Sequence, residues 1–229
     1  MLALVAAPHA LASAGPRSER AAPSISSGPS LVAVLPVCQD PAFQLTGGHW
    51  TQSVHWTFDQ GSTPAGMSVA AVESVLNRSF DNITGADNDC GRPDNVGARN
   101  VYDGRSARSP GVSRLARCAR NDGHNAVGFG QLPRGILAAT CTRHVGNRIV
   151  EADIRINTRY DWALSKQNCS GQELLEPTIT HEVGHVYGLG HVSERLHPLM
   201  TMSRSSDGPC SNAASTLGLG DMLGLESLY

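Results

Sequence analysis

The chain has 229 residues and a formal net charge of −2, and 40% of its residues are hydrophobic against 17% charged. These values are typical of one globular domain with a short leader. The balanced charge argues against a nucleic-acid-binding protein, which usually carries a clustered basic surface. No apolar run reaches the roughly 18 residues that span a membrane.

Residues 1–14 are predicted to be a signal peptide, because 2–14 are apolar and end in Ala12-Ser13-Ala14, a small-x-small cleavage pattern. They lack a basic n-region, so the true start could lie upstream, and a disordered alanine-rich tail is the alternative. Residues 15–45 are assigned to a linker or short pro-segment, since 15–30 are rich in Ser, Pro and Ala. The folded domain is then expected at 46–229.

Hydrophobic periodicity places strands before most of the helices in the domain, which predicts the α+β class. The first helix has a plausible N-cap in Ser68, and the second has Pro177 in its first turn. The last two strands could form an antiparallel pair. Strands are predicted at 50–58, near 99–102, and at 126–132, 136–143 and 147–157, and helices at 68–83, 176–189 and within 215–229.

Six dispersed cysteines, none in a C-x-x-C pair, exclude a zinc ribbon and fit three disulfides in an oxidising compartment. Many pairings are formally open. We favour Cys90–Cys118 and Cys169–Cys210.

The segment 180–191, THEVGHVYGLGH, predicts a metal site. His181 and His185 lie four residues apart, so on a helix they project from the same face. Gly188 can take a positive φ and end the helix, which allows His191 to approach as a third ligand. Three neutral histidines leave one tetrahedral position open for water, the arrangement of a catalytic zinc.

Glu182, next to the first histidine, is the candidate general base for a zinc-activated water. The alternative is an amphipathic helix with surface histidines. We favour the metal site, because three of the nine histidines in the chain fall at the required spacings.

HEVGHVYGLGH matches the signature H-E-x-x-H-x-x-G-x-x-H of the metzincin zinc proteases and most resembles the matrixin branch. The resemblance implies a small twisted mixed β-sheet, an active-site helix, a methionine turn below the zinc and a C-terminal helix. The segment LMTMS supplies Met200 or Met202 for that turn, and Met202 is preferred for its resemblance to an L-T-M-S pattern.

GILAATC, residues 135–141, resembles the matrixin edge strand, which holds substrate as an added antiparallel strand. Ala139 stands where animal matrixins carry a histidine of a second, structural zinc, so one zinc is expected. His124 and His144 are then interpreted as surface or loop residues. Ser203-Arg204 replace the tyrosine of other metzincins, which leaves three protein ligands.

The resemblance also allows a calcium ion near Asp153 or the Asp122-Gly123 turn, although no dense carboxylate loop requires one. Cys90-Gly91-Arg92-Pro93-Asp94 resembles the cysteine switch of latent matrixins. It follows the first predicted strand and helix instead of preceding the domain. We therefore interpret Cys90 as a disulfide cysteine.

Together these features predict a secreted, monomeric zinc endopeptidase that acts on polypeptides and binds neither nucleic acid nor membrane. Its specificity would lie in the loop 203–213. A catalytically silent zinc-binding module and an amidase or endopeptidase restricted to cell-wall peptides are the alternatives. Glu182 argues against the silent module, which has no need of a general base.

Overall fold

The computed structural model describes residues 2–6, 34–119 and 121–229. The predicted signal peptide and linker fall largely in 7–33, outside the described residues. Among the residues that are described, no helix has both the length and the apolar character needed to cross a bilayer.

The described chain forms ten strands and three α-helices, joined by turns and short 3₁₀ segments. The strands are β1 Leu2–Ala6, β2 Gln44–Leu45, β3 Val54–Asp59, β4 Asn100–Ser106, β5 Ala126–Gly130, β6 Ile136–Val145, β7 Arg148–Asn157, β8 Trp162–Ala163, β9 Glu173–Leu174 and β10 Leu189–Gly190. The helices are α1 Val69–Thr84, α2 Leu175–Val186 and α3 Leu219–Glu226.

Six strands form one mixed sheet in the order β1-β6-β7-β5-β3-β4. Strand β6 pairs antiparallel with both β1 and β7, whereas the pairs β7–β5, β5–β3 and β3–β4 are parallel. The predicted antiparallel pair, β6 and β7, is confirmed and is joined at Gly146, whose φ is +63°. The protein is therefore a mixed α+β chain, the class that the predicted order of strands and helices indicates.

Helix α1 begins where the sequence predicts it. The hydroxyl of Ser68 accepts a hydrogen bond from the amide of Ala71 at 3.4 Å and caps the helix. The inner face of α1 packs on the sheet, where Phe80 stacks on Trp56 with ring centroids 4.1 Å apart. Its fully buried apolar residues are Val72, Val75, Leu76, Phe80 and Ile83.

Helix α2 ends three residues before the predicted limit of 189. Val186 is its last residue, and Gly188 turns the chain with φ +93° into β10. Gly188 permits this turn because it has no Cβ. The two residues of β10 then pair antiparallel with β2, which fixes the direction in which the chain leaves the helix.

Three disulfides join Cys38–Cys90, Cys118–Cys141 and Cys169–Cys210. The predicted Cys169–Cys210 pair is confirmed, and so is the interpretation of Cys90 as a disulfide cysteine. The predicted Cys90–Cys118 pair is wrong. Cys118 bonds to Cys141 on β6, while Cys90 bonds to a cysteine ahead of β2. Three disulfides are typical of an extracellular or otherwise oxidising environment.

The segment just before residue 46 contacts the domain at several points. Val37 accepts a hydrogen bond from the amide of Leu219 at 3.1 Å, next to the start of α3. Asp40 is buried, and its carboxylate lies 2.8 Å from Nδ1 of His197. With the bond from Cys38 to Cys90 and the β2–β10 pairing, these contacts hold residues 37–45 against the rest of the fold.

Candidate metal centre

Three histidines converge at the C-terminal half of α2. His181 and His185 project from the same face of the helix, and both are buried. His191 reaches them because Gly188 ends the helix and β10 returns the chain along β2. The spacing in the sequence predicts this convergence, and the structure brings all three predicted ligands together.

The Nε2 atoms of the three rings form a nearly equilateral triangle. His181 and His185 are 3.0 Å apart at these atoms, and His191 lies 3.1 Å from each. Tetrahedral zinc with nitrogen bonds of about 2.0–2.1 Å would separate its nitrogens by about 3.3 Å. The triangle therefore fits one small metal ion with little movement of the rings.

Main-chain carbonyls set the orientation of two of these rings. Nδ1 of His181 lies 2.7 Å from the carbonyl oxygen of Thr201, and Nδ1 of His185 lies 2.8 Å from that of Leu189. Since a carbonyl can only accept, Nδ1 carries the proton in each ring and Nε2 offers a lone pair. Lone pairs that face one another at 3 Å repel unless a cation lies between them.

Burial keeps these imidazoles in the neutral form that a metal ligand needs. It lowers the pKa of His181 to about 3, with nearby His191 contributing. The pKa of His185 also falls well below its ordinary value for the same reason. Imidazole donors suit zinc, copper, iron and nickel alike, so the cluster could hold a metal ion of this group.

Glu182 lies beside this cluster with its carboxyl group fully buried. Its Oε2 accepts a hydrogen bond from the hydroxyl of Thr140 on β6 at 2.5 Å. Oε1 has no hydrogen-bond partner among the described residues. Burial raises the pKa of Glu182 to about 8, while the bonds from Thr140 and from the main-chain amide of Val5 lower it. A buried carboxyl oxygen without a partner is rare in a purely structural setting.

Met202 is the methionine that packs against the helix carrying the ligands. A Cβ added to Gly184, between the two helical histidines, would lie 2.4 Å from its sulfur. Met200 instead lies near Gly218 and lines a neighbouring cavity. Both are buried, and Thr201 between them supplies the carbonyl that orients His181. The residue preferred from the sequence, Met202, is therefore the one that packs against α2, and its role as a turn methionine stays a prediction.

Asp221 of α3 fixes this turn, although its sequence context gives no sign of it. The fully buried carboxylate accepts hydrogen bonds from the amides of Thr201, Met202 and Gly218 at 3.0–3.3 Å. Burial raises the pKa of Asp221 to about 6, against the lowering effect of these amides. The only hint in the sequence is an aspartate in the first turn of a helix, which is common for other reasons.

A cavity opens beside His181, between the start of α2 and the segment that follows the turn. Its walls come from Glu173–Thr178 of the chain, from 198–203 and from 205–211. The loop 203–213, predicted to set specificity, therefore borders the metal cluster. The bond from Cys169 to Cys210 ties this loop to the segment before α2. Val5 of β1 also borders the cavity.

At the predicted calcium site near Asp153, carboxylate oxygens already accept hydrogen bonds from main-chain amides. Glu151 accepts hydrogen bonds from the amides of Asp122 and Gly123, and Asp153 accepts one from Ala126 at 3.1 Å. Within 2–6, 34–119 and 121–229, the histidine triad is the only group of three His, Cys, Asp or Glu donors close enough to hold one ion. Calcium near Asp153 stays a prediction.

The two histidines interpreted as surface or loop residues lie away from the triad. His124 is exposed, and His144 is half-buried, 3.1 Å from the hydroxyl of Thr142. Neither of them belongs to the metal cluster.

No protein-family model matches this sequence, and no curated protein is similar to it.

Proposed function

We propose that this chain is a secreted, zinc-dependent endopeptidase of the metzincin, matrixin-like kind. The observation that carries the proposal is the triangle of three histidine Nε2 atoms beside a buried glutamate that has one carboxyl oxygen without a hydrogen-bond partner. The mixed sheet, the turn at Met202 and the C-terminal helix support the metzincin assignment. The three disulfides support secretion.

His181, His185 and His191 would hold the zinc. When bound, zinc would supply a Lewis acid that polarises a peptide carbonyl and lowers the pKa of water. A cation held by the three histidines would favour the ionised form of Glu182 and oppose the effect of burial. The carboxylate would then receive the proton of the attacking water at Oε1, the oxygen without a partner, and deliver it to the leaving amine. Thr140 holds Oε2 and so keeps the carboxyl group aimed at the reacting atoms.

Glu182 favours an enzyme over a silent zinc module. Burying a carboxyl group whose hydrogen bonds are incomplete costs roughly 1–3 kcal/mol or more. A module that only binds zinc would be more stable with an apolar residue at this position. A general base explains why the carboxyl group is present and why one oxygen is left free.

The substrate would be an extended polypeptide bound as an added strand. The outer edge of β6 accepts an antiparallel strand, since β1 pairs there over six residues of β6. In strand addition the main-chain hydrogen bonds give affinity, and a pocket for alternate side chains gives selectivity. The cavity beside His181 is placed to be that pocket.

The test compares casein cleavage by the purified chain with that by Glu182→Gln, with zinc content measured in both. The variant is expected to keep one zinc per chain and to lose at least about 100-fold in rate, because general-base catalysis contributes about 10²–10⁴. Glu176→Gln is the control, because Glu176 lies on the same helix but pairs with Arg78 at 3.0 Å away from the zinc ligands.

Three outcomes would count against the proposal. If wild type holds zinc but cuts neither casein nor purified cell-wall peptide, the silent module becomes the better hypothesis. Cleavage of cell-wall peptide alone would favour the restricted amidase. A Glu182→Gln variant with wild-type activity would remove the general base from the mechanism.

A further inference from the structure

A buried acidic side chain that the proposed mechanism does not use borders the cavity beside His181. Glu173, in β9, is only 8% exposed, and the pairing of β9 with β8 places it opposite Trp162. Its main-chain amide donates to the carbonyl of Asp161 at 3.0 Å, but within the described part of the chain no group donates to its carboxylate. A buried carboxylate without a partner is costly, so it indicates that a ligand group completes the site.

A second carboxylate borders the same cavity, and no cation balances the two. Asp207 lies exposed in the loop 203–213 and has no hydrogen-bond or ion-pair partner among the described residues. Desolvation raises the pKa of both carboxyl groups, and no neighbouring charge opposes it in either case. No lysine or arginine of the described chain lines the cavity, and Arg204 of the same loop lines a different groove, next to His191.

Most of the remaining wall is apolar and comes from Leu174, Pro177, Pro198, Met200 and Ala214. The side chains of arginine and lysine combine an aliphatic stem with a cationic end. The stem would pack on the apolar wall while the cationic end meets a carboxylate. A metal ion fits less well, because Glu173 and Asp207 belong to no described group of three His, Cys, Asp or Glu donors close enough to share one.

We propose that Glu173 makes this cavity a binding site for a basic side chain, the arginine or lysine of a polypeptide substrate, with Asp207 adding attraction from the loop. The carboxylate of Glu173 accepts charge-assisted hydrogen bonds from the guanidinium or ammonium group. Glu173 is then a specificity-determining residue and takes no part in the chemical step. Since the cavity borders His181, the basic residue lies next to the bond that is cleaved.

The part of this inference that concerns cleavage rests on the proposed endopeptidase function, whereas the binding of a basic side chain does not. The two parts are therefore measured separately, with one pair of peptides. Both have the sequence Ala-Ala-Ala-Xaa-Ala-Ala-Ala, with Xaa either arginine or norleucine, which keeps an aliphatic stem and lacks the charge.

Cleavage is measured with internally quenched forms of the two peptides and the purified, zinc-loaded protein. In wild type, kcat/KM should be at least about tenfold higher for the arginine peptide, the effect of a desolvated charge-assisted pair. Glu173→Gln keeps the size of the side chain and should reduce that ratio by at least about fivefold. Asp207→Asn, at an exposed position where folding tolerates the change, should reduce it by about two- to threefold.

Glu176→Gln is the matched control. Glu176 lies in the first turn of α2, close in sequence to Glu173, but it pairs with Arg78 and does not border the cavity. This variant should keep the ratio of wild type.

Binding is measured by fluorescence anisotropy with labelled forms of the same peptides, in the Glu182→Gln variant so that neither peptide is cut. The Kd of the arginine peptide should be at least about tenfold lower than that of the norleucine peptide. Adding Glu173→Gln to this variant should remove most of the difference, and adding Glu176→Gln should leave it unchanged.

The two measurements distinguish the two proposals. A preference for arginine in both kcat/KM and Kd that Glu173→Gln removes supports both. The same preference in Kd, without cleavage of either peptide or of casein by wild type, supports the basic-residue site and contradicts the endopeptidase. Equal Kd values for the two peptides, or a difference in Kd that Glu173→Gln leaves intact, would overturn the basic-residue site even if both peptides are cut.

Discussion

The carboxylate of Asp221 holds the main-chain amide of Thr201 at 3.0 Å, and the carbonyl of the same Thr201 orients the ring of His181. The C-terminal helix is thereby connected to a predicted metal ligand through a single residue, Thr201. Outer partners of this kind fix the direction of a ligand's lone pair and raise its affinity for the metal.

Asp221→Asn should weaken zinc binding by about 10–100-fold, the usual effect of removing an outer partner of a metal ligand. The asparagine side chain keeps one acceptor oxygen, but its NH₂ group would face main-chain N–H groups, which can only donate. Competition with a chelator of known affinity measures the change. Glu226→Gln, in the same helix but paired with Arg92 on the surface, should leave zinc affinity within about twofold of wild type.

Gly188→Ala should lower the free energy of unfolding by more than about 2 kcal/mol. The residue has φ +93°, and its new Cβ would lie 2.3 Å from the carbonyl oxygen of Gly48. Gly171→Ala isolates the backbone strain, since Gly171 has φ +88° and nothing within 4 Å of an added Cβ. It should cost about 1 kcal/mol. If urea denaturation gave the same loss of unfolding free energy for Gly188→Ala and Gly171→Ala, the contact with Gly48 would not contribute to the effect.

Gly184→Ala tests the packing of Met202 under the zinc ligands. Alanine in a helix is ordinarily more stable than glycine by about 1 kcal/mol. Here the added Cβ would meet the methionine sulfur at 2.4 Å, so a net loss of about 1–3 kcal/mol is expected, with weaker zinc retention. The double variant with Met202→Ala should lose less than the sum of the two single losses. Strict additivity would contradict the contact.

Asp153 should make stability depend on pH near neutrality. Burial raises the pKa of Asp153 to about 7, and the negative charges of Glu151 and Asp122 raise it as well. Hydrogen bonds from the main-chain amides of Gly111 and Ala126 act in the opposite direction. An acid with a raised pKa contributes most stability below its unfolded pKa of 3.8 and loses it as pH rises through the folded pKa. The difference in unfolding free energy between wild type and Asp153→Asn should therefore fall between about pH 4 and 7, by at most about 1.4 kcal/mol per unit.

Chemical denaturation at several pH values measures that difference. Above about pH 7 it should be constant, because Asp153 is then ionised in both states. A difference that grows with pH from 4 to 7 would mean that the carboxylate is stabilised in the folded chain, contrary to the burial argument.

The convergence of the three histidines could be predicted from the sequence because it depends on local geometry. Two ligands share one helix face, and the third follows after one glycine turn, so spacing alone brings them together. The cap at Ser68 and the β6–β7 hairpin are local in the same sense. The contacts of Asp221 and Thr140 are not, because they join residues 20–42 positions apart that carry no common pattern.

The disulfide pairing also depends on contacts between distant parts of the chain, which spacing in the sequence does not reveal. Cys169–Cys210 could be guessed from the segments on either side of α2, but Cys90–Cys118 could not be distinguished by spacing from the pairs that form. Sheet order decides the outcome, because β6 is the second strand of the main sheet, between β1 and β7, and it brings Cys141 next to Cys118. The pairing of Leu2–Ala6 with β6 could not be predicted either, because an apolar leader and an apolar strand have the same composition.

The strand that supports His191 comes from ahead of the predicted domain. Leu45 and Gln44 pair with the two residues that precede this ligand, and the bond from Cys38 to Cys90 anchors them. A processing protease that cut after Leu45 would remove the pairing partner of β10 and leave the third ligand held on one side only. A cut ahead of Cys38 would instead leave both this strand and its disulfide in place.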